Sequence, residues 1–156
     1  MAQDRPADAA SPEAFLALGR EVLAAQPFSQ LLGAQLQALS PGQCELHLPM
    51  TPQLRQQHGF AHGGVVSYLA DNALTYAGGT ALRVPVVTSE FKINYLRPAV
   101  GELLIARAQA AYAGRNQAVC RCDVFAVQGG VEKLCAVAQG TIAVLPAQSG
   151  AGEAGV

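Results

Sequence analysis

The hydrophobic positions in the first third of the chain change from a helical period to a strand period. Residues 11–13 combine an N-cap serine, a proline and an acid, the residue types that begin a helix. Apolar residues recur at roughly helical spacing from there, and Pro27 ends the predicted helix. Residues 31–39 and 44–50 flank a Ser-Pro-Gly turn and predict two strands, after which a polar loop leads to the next element.

The most apolar segment predicts a long helix that runs roughly from Gly63 to Leu82 and ends before Pro85. Its apolar residues form one stripe and most of them are small: Val66, Leu69, Ala70, Ala73, Ala77 and Ala81. Small side chains allow close approach, so we expect a sheet to wrap around this helix. Asp71 and Asn72 interrupt the segment, which excludes a transmembrane helix.

Beyond Pro85 the pattern has a period of two and predicts four strands. The first covers residues 87–95 and alternates strictly. One predicted face carries Val87, Ser89, Phe91, Ile93 and Tyr95. The other carries Thr88, Glu90, Lys92 and Asn94. Three further runs, near residues 102–112, 117–127 and 131–144, are separated by short glycine-containing breaks, as antiparallel hairpins require.

The order of these elements predicts an α+β fold: helix, two strands, long helix, four strands. Hairpin-connected strands around a central helix imply a single antiparallel sheet wrapped around that helix. With 156 residues we expect one domain, over residues 11–145. Residues 1–10 and 146–156 are rich in small residues and proline, which predicts disordered tails.

Composition indicates an oligomer and argues against nucleic acid or a membrane as partner. Charged residues make up only 13% of the chain, against roughly a quarter in average soluble domains. We therefore expect part of the surface to be buried between subunits. A net charge of -1 and a pI near 6.3 indicate no basic patch for nucleic acid or an anionic membrane.

The four cysteines and the first residues of the chain favour a cytoplasmic protein. Cys44, Cys120, Cys122 and Cys135 lack the C-x-x-C spacing of a zinc or redox pair. The N-terminal residues lack the basic and apolar regions of a secretory signal. We therefore expect a reducing compartment, in which the thiols are free and act as small hydrophobes.

Two features of the long helix are candidates for chemistry. Asp71 lies in apolar sequence, so its carboxylate must be paired, hydrogen-bonded or facing a cavity, and a structural role remains open beside a catalytic one. On a helical wheel it groups with Gly64, Tyr68 and Thr75. At the helix start, His62 precedes Gly63 and Gly64, whose backbone N–H groups no side chain blocks. Such groups can hold an oxyanion, although two glycines also suit a tight entry into a helix.

The spacing of these features predicts a site shared by two subunits. Gly63 and Asp71 are eight residues apart, roughly 12 Å along a helix that rises 1.5 Å per residue. One carbonyl group cannot contact both ends of that span. If both act on one substrate, Asp71 must come from one subunit and the Gly63 amide from a second, antiparallel helix. A site in a dimer interface follows as a hypothesis.

The segment around the helix start resembles the signature of a known family. That signature places Asn-x-x-Gly-x-x-His-Gly-Gly before a helix with an Asp-Asn pair, and it is typical of hot-dog fold thioesterases of the phenylacetic-acid-degradation (PaaI) type. The matching residues are Gly59, His62, Gly63, Gly64, Asp71 and Asn72. Residues 88–98 also resemble this family, and the likeness covers about residues 28–144.

The resemblance implies an acyl-CoA thioesterase. It makes Asp71 the general base on water, or the nucleophile that forms a mixed anhydride, and it makes the Gly63 N–H the group that polarises the thioester carbonyl. His62 would order the loop or the substrate, and Thr88 would place a hydroxyl near the attacking water. Gln56 stands where the family commonly has asparagine; its amide can orient water or the thioester, with a longer reach.

The resemblance also bears on ligands and assembly. The residues it predicts to contact the substrate are Gly59, Gly64 and Asn72; His58, in the same loop, is a further candidate with a positional role, which the family motif does not demand. The chemistry requires no metal and no redox cofactor, since coenzyme A is part of the substrate, and the expected assembly is a homodimer or a tetrameric dimer of dimers. Two other functions remain open: a hydratase or dehydratase of acyl thioesters, and a non-catalytic acyl-CoA-binding oligomer. The acyl group itself is not predicted.

Overall fold

The computed structural model describes residues 11–146. The predicted tails, 1–10 and 146–156, lie outside this range except for Pro146. Helices in the described range are α1 (Pro12–Ala24), α2 (Pro27–Leu32) and α3 (Gly63–Leu82). Its strands are β1 (Gln35–Ser40), β2 (Gln43–Pro49), β3 (Val86–Tyr95), β4 (Leu103–Ala113), β5 (Gln117–Gln128) and β6 (Val131–Val144). A short 3-10 turn, Pro52–Leu54, lies in the loop before α3.

The six strands form one antiparallel sheet, in the order β1-β2-β4-β5-β6-β3. α3 contacts every strand of this sheet, which confirms the predicted α+β fold with a long central helix. Ala70, Ala73 and Ala77 on its inner face are 0% exposed, so the small residues of the predicted stripe do allow close packing. Within residues 11–146, no helix is both long and apolar enough to span a membrane.

The four cysteines are free and buried, as predicted. Burial raises the pKa of Cys120 to about 11 and that of Cys122 to about 12. Both thiols are therefore protonated at physiological pH and pack as small hydrophobic side chains.

Pro27 begins a helix, so the predicted strand from residue 31 was wrong at its start. α1 ends at Ala24, and Pro27 occupies the first turn of α2, where its missing N–H costs no hydrogen bond. Gly33 ends α2 in the left-handed conformation, with a φ of 80°. Consequently β1 begins only at Gln35.

A β-bulge changes the faces predicted for β3. Ser89 is an extra residue between two consecutive pairs with β6. Thr88 therefore faces α3 together with Phe91, whereas Val87 is 47% exposed. Strict alternation had placed Val87 with Phe91 and Thr88 on the opposite face. That prediction was wrong because one unpaired residue reverses the alternation of everything before it.

Gly78 has no room for a side chain, because α3 lies so close to β6. A Cβ atom at Gly78 would lie 2.6 Å from the Cβ of Ile142. We expect Gly78→Ala to lower the free energy of unfolding by about 2 kcal/mol, despite the higher helix propensity of alanine. Urea unfolding measures this loss. The matched control is Gly79→Ala, whose new Cβ would meet a single methyl group of Val86 at 3.0 Å. Equal effects of the two substitutions would contradict the packing argument.

Candidate active site

The start of α3 has one backbone N–H group that remains unused. The imidazole Nδ1 of His62, the N-cap residue, accepts a hydrogen bond from the Gly64 N–H at 2.9 Å. The carbonyl oxygen of His62 accepts from the Val65 N–H at 2.9 Å. The Gly63 N–H has no acceptor among residues 11–146. At the positive end of the helix dipole, this group is available to a carbonyl oxygen.

The loop before α3 is held in place by its own hydrogen bonds. Gln56 Oε1 accepts from the His58 N–H at 2.7 Å, and the Gln56 carbonyl accepts from the Gly59 N–H at 3.0 Å. Gly59 has a φ of 87°, a conformation that favours glycine. Arg55 donates to the carbonyl oxygens of Gly59 and Gly101 at 2.8 and 3.0 Å. The Gln56 side chain thus supports the turn through its oxygen, which leaves its amide nitrogen for a ligand.

Asp71 is held by two threonine hydroxyls halfway along α3. Thr88 Oγ1 donates to Asp71 Oδ1 at 2.7 Å. Thr75, one helical turn further on, donates to the Asp71 carbonyl oxygen at 2.9 Å and lies 2.8 Å from Thr88 Oγ1. The other carboxylate oxygen, Oδ2, accepts no hydrogen bond from the part of the chain that the structure describes. Because Asp71 is only half-buried, Oδ2 is available to a ligand.

Thr75 belongs to this arrangement, although its sequence context predicts no role for it. The helical wheel placed it on the face of Asp71, which was the only signal. A threonine inside a helix usually bonds to the carbonyl four residues earlier, so its presence alone does not indicate a site. Its second contact, with Thr88, depends on the bulge in β3, which the sequence pattern did not reveal.

The side chain of Asn72 is directed at α2. Its Nδ2 lies 3.2 Å from Gln26 Oε1, 3.2 Å from the Tyr68 hydroxyl and 3.3 Å from Ser29 Oγ. Ser29 is only 1% exposed and accepts a hydrogen bond from the Tyr68 hydroxyl at 2.6 Å. This network fixes α2 against α3. Contact between Asn72 and a substrate stays a prediction.

A cleft of about 480 Å³ opens beside the start of α3. Gly63 and Gly64 line one side of it. Most of the other lining side chains are apolar: Phe60, Ala61, Val66, Leu96, Pro98 and Ala99. Cys135 also lines the cleft, but burial raises the pKa of its thiol to about 11, so it is protonated and a poor nucleophile. The cleft can hold an apolar group next to the unused Gly63 amide.

In a single chain the two reactive groups are far apart. The cleft includes Gly63 but not Asp71, and the eight residues between them correspond to roughly 12 Å of helix. One set of predicted residues therefore comes together around the helix start, and a second set comes together around Asp71 and Thr88. The structure of one chain does not join these sets.

Comparison with known proteins identifies the family. The family model described as "Thioesterase superfamily" matches residues 58–133. A putative esterase of Haemophilus influenzae is 31% identical over 116 residues, which are 73% of this chain and 82% of that protein. The crystal structure of a thioesterase family protein from Silicibacter pomeroyi is 38% identical, with a TM-score of 0.76 over 80% of this chain and 93% of that one. The chain belongs to the thioesterase superfamily.

This thioesterase is also similar to the acyl-coenzyme A thioesterase PaaI of Escherichia coli, at 30% identity over 92 residues, 58% of this chain and 65% of that protein. These similarities confirm the predicted hot-dog fold and the PaaI-type resemblance, and they make the chain a thioester hydrolase. The family match contains Gly63, Asp71 and Thr88, and it begins two residues after Gln56. The roles of the individual residues stay predictions.

Proposed function

We propose that this thioesterase hydrolyses acyl-CoA thioesters to a free carboxylic acid and CoA. The proposal depends on one observation: α3 carries two unused groups, the Gly63 N–H and Asp71 Oδ2. The first donates a hydrogen bond and the second accepts a proton, which are the two functions that hydrolysis of an acyl group needs. The similarity to an acyl-coenzyme A thioesterase supports CoA as the leaving group.

The reaction begins when the thioester carbonyl oxygen accepts a hydrogen bond from the Gly63 N–H, which strengthens as negative charge develops on that oxygen. Asp71 Oδ2 takes a proton from water, and the water oxygen bonds to the carbonyl carbon. The carbon–sulfur bond then breaks, and the proton on Asp71 returns to the CoA sulfur. Alternatively, Oδ2 attacks the carbon itself, the carbon–sulfur bond breaks and CoA leaves as the thiolate; water then hydrolyses the mixed anhydride, which restores the Asp71 carboxylate and releases the proton that the thiolate takes up. Both routes use the same two groups.

The neighbouring side chains support these steps. Thr88 holds Oδ1 of Asp71, which leaves Oδ2 for the water or the thioester. His62 fixes the Gly64 N–H and thereby the first turn of the helix. The amide nitrogen of Gln56 can orient the water or the thioester. We infer that no metal and no redox cofactor takes part, since CoA enters as part of the substrate.

The complete site consists of groups from two subunits. Because roughly 12 Å separates Gly63 from Asp71 on one helix, an antiparallel helix of a second copy supplies the missing half. Each dimer then has two sites. The low charged fraction, 13%, supports subunit contacts, and the assembly is a dimer or a dimer of dimers. Four free buried thiols are consistent with a cytoplasmic location.

A panel of acyl-CoA substrates tests the proposed function. We expect the purified protein to release one CoA thiol for each carboxylic acid formed, as measured with a thiol reagent and by mass spectrometry. The panel includes aryl-acetyl, hydroxybenzoyl and medium-chain acyl groups. Binding of the whole panel without thiol release would contradict the proposal and indicate a binding protein. Addition of water with CoA retained would indicate a hydratase.

A further inference from the structure

Tyr95, the last residue of β3, contacts the first residue of α3. Its hydroxyl donates a hydrogen bond to the Gly63 carbonyl oxygen at 3.0 Å. Its ring lies beside the glycine, since a Cβ on Gly63 would be 3.5 Å from both the Tyr95 Cζ and the hydroxyl oxygen. This contact connects the end of an edge strand to the residue that carries the unused N–H.

The peptide unit between Gly63 and Gly64 is consequently held at both of its polar ends. Its carbonyl oxygen accepts from Tyr95, and its N–H donates to His62 Nδ1 at 2.9 Å. Besides the helical hydrogen bond from the Ser67 N–H to the Gly63 carbonyl oxygen, these two contacts restrain a helix start that two consecutive glycines make less rigid. The preceding peptide carries the Gly63 N–H, and the two peptides share the Gly63 Cα. Holding one of them therefore restricts the direction in which the other points.

Burial does not account for the Tyr95 hydrogen bond. The side chain is 54% exposed, so its hydroxyl could be hydrated by solvent instead. The core does not depend on it either, because Val86, Phe91 and Ile93 are the apolar side chains of β3 that pack against the core. The hydroxyl can thus be removed with little loss of stability, which permits a clean test.

We propose that Tyr95 is a positioning residue that, with His62, directs the Gly63 N–H at the thioester carbonyl oxygen. The inference rests on the proposed thioesterase mechanism and adds to it a residue outside the predicted site. A donor that is fixed in advance needs no reorganisation when charge develops on the oxygen. The Tyr95 ring lines the cleft beside Gly63, whereas its hydroxyl acts on the chemical step through the Gly63 carbonyl oxygen.

Tyr95→Phe removes the hydroxyl and keeps the ring. We expect kcat to fall about fivefold, the effect of one ordinary hydrogen bond, with KM and melting temperature unchanged. In amide nitrogen relaxation, the order parameters of Gly63 and Gly64 should fall from about 0.85 towards 0.6. The matched control is Tyr112→Phe, because Tyr112 is 61% exposed, lies near the end of β4 and also contacts a glycine, Gly114. It should leave kcat unchanged.

The possible results separate this inference from the proposed function. If Tyr95→Phe keeps the wild-type kcat while Asp71→Asn is inactive, the positioning role is overturned and the thioesterase function stands. If the wild-type protein hydrolyses no acyl-CoA, the proposed function fails. The relaxation data then test only whether Tyr95 restrains the peptide between Gly63 and Gly64. Unchanged order parameters of Gly63 and Gly64 in Tyr95→Phe would then overturn this restraint as well.

Discussion

Asp71→Asn is expected to lower kcat for acyl-CoA hydrolysis about a thousandfold, the range that loss of a general base produces. Asparagine has the shape of aspartate, and its oxygen can still accept the Thr88 hydrogen bond, so the fold and KM should change little. What it lacks is a carboxylate oxygen that takes a proton or attacks carbon. Steady-state assays with a thiol reagent measure the loss. Asp71→Ala should be at least as inactive.

Asp123→Asn provides the control for this substitution. Asp123 is an exposed carboxylate on β5, outside the site, so its replacement should leave kcat unchanged. If Asp71→Asn retained more than about a tenth of the wild-type kcat, Asp71 would be neither base nor nucleophile. The half-buried carboxylate would then be a structural partner of the Thr88 hydroxyl only.

Gly63→Pro should lower kcat by about a hundredfold or more, the loss expected when one oxyanion donor is removed. Proline suits the first position of a helix, and the ψ of 136° at His62 is compatible with a following proline. A side chain at this position would meet Tyr95 at 3.5 Å, an ordinary contact distance. The substitution therefore removes the N–H with little other change. Gly63→Ala, which adds a carbon but keeps the N–H, should retain most of the activity.

Mixing the two inactive variants shows whether the site is shared. In a heterodimer of Asp71→Asn and Gly63→Pro subunits, one site receives both intact groups and the other receives neither. Random co-folding should therefore restore about a quarter of the wild-type activity. Separately folded proteins that cannot exchange subunits should show no recovery. If co-folded mixtures also stay inactive, both groups act within one subunit, or not on one substrate.

The sheet and α3 could be predicted from the sequence because each buries one continuous face. The helix over residues 63–82 and the strand over 131–144 have the predicted bounds. α2 could not be predicted in the same way, since six residues are too few to show a period and Pro27 suits both the end and the start of a helix. A bulge is equally hidden, because it adds one residue without changing the composition of the strand.

Some residues of the candidate site could also be predicted from the sequence, and others could not. Gly63 and Asp71 stand out in the sequence because glycines and a carboxylate are unusual in an apolar helix. Thr75 and Tyr95 do not, since a threonine in a helix and a tyrosine in a strand are ordinary. Their contacts join residues that are 13 and 32 positions apart, with Thr88 and Gly63 respectively. Such contacts exist only after β3 has paired with β6 and packed on α3.

Because of the bulge at Ser89, the number of residues in β3 can change without a change in the geometry of the site. Thr88 and Phe91 both face α3 although they are three residues apart, whereas a regular strand repeats every two. Removing Ser89 would make the strand regular and still leave Thr88 on the inner face. Thr88 would then stand two residues before Phe91 instead of three, and its hydroxyl would still face the carboxylate of Asp71.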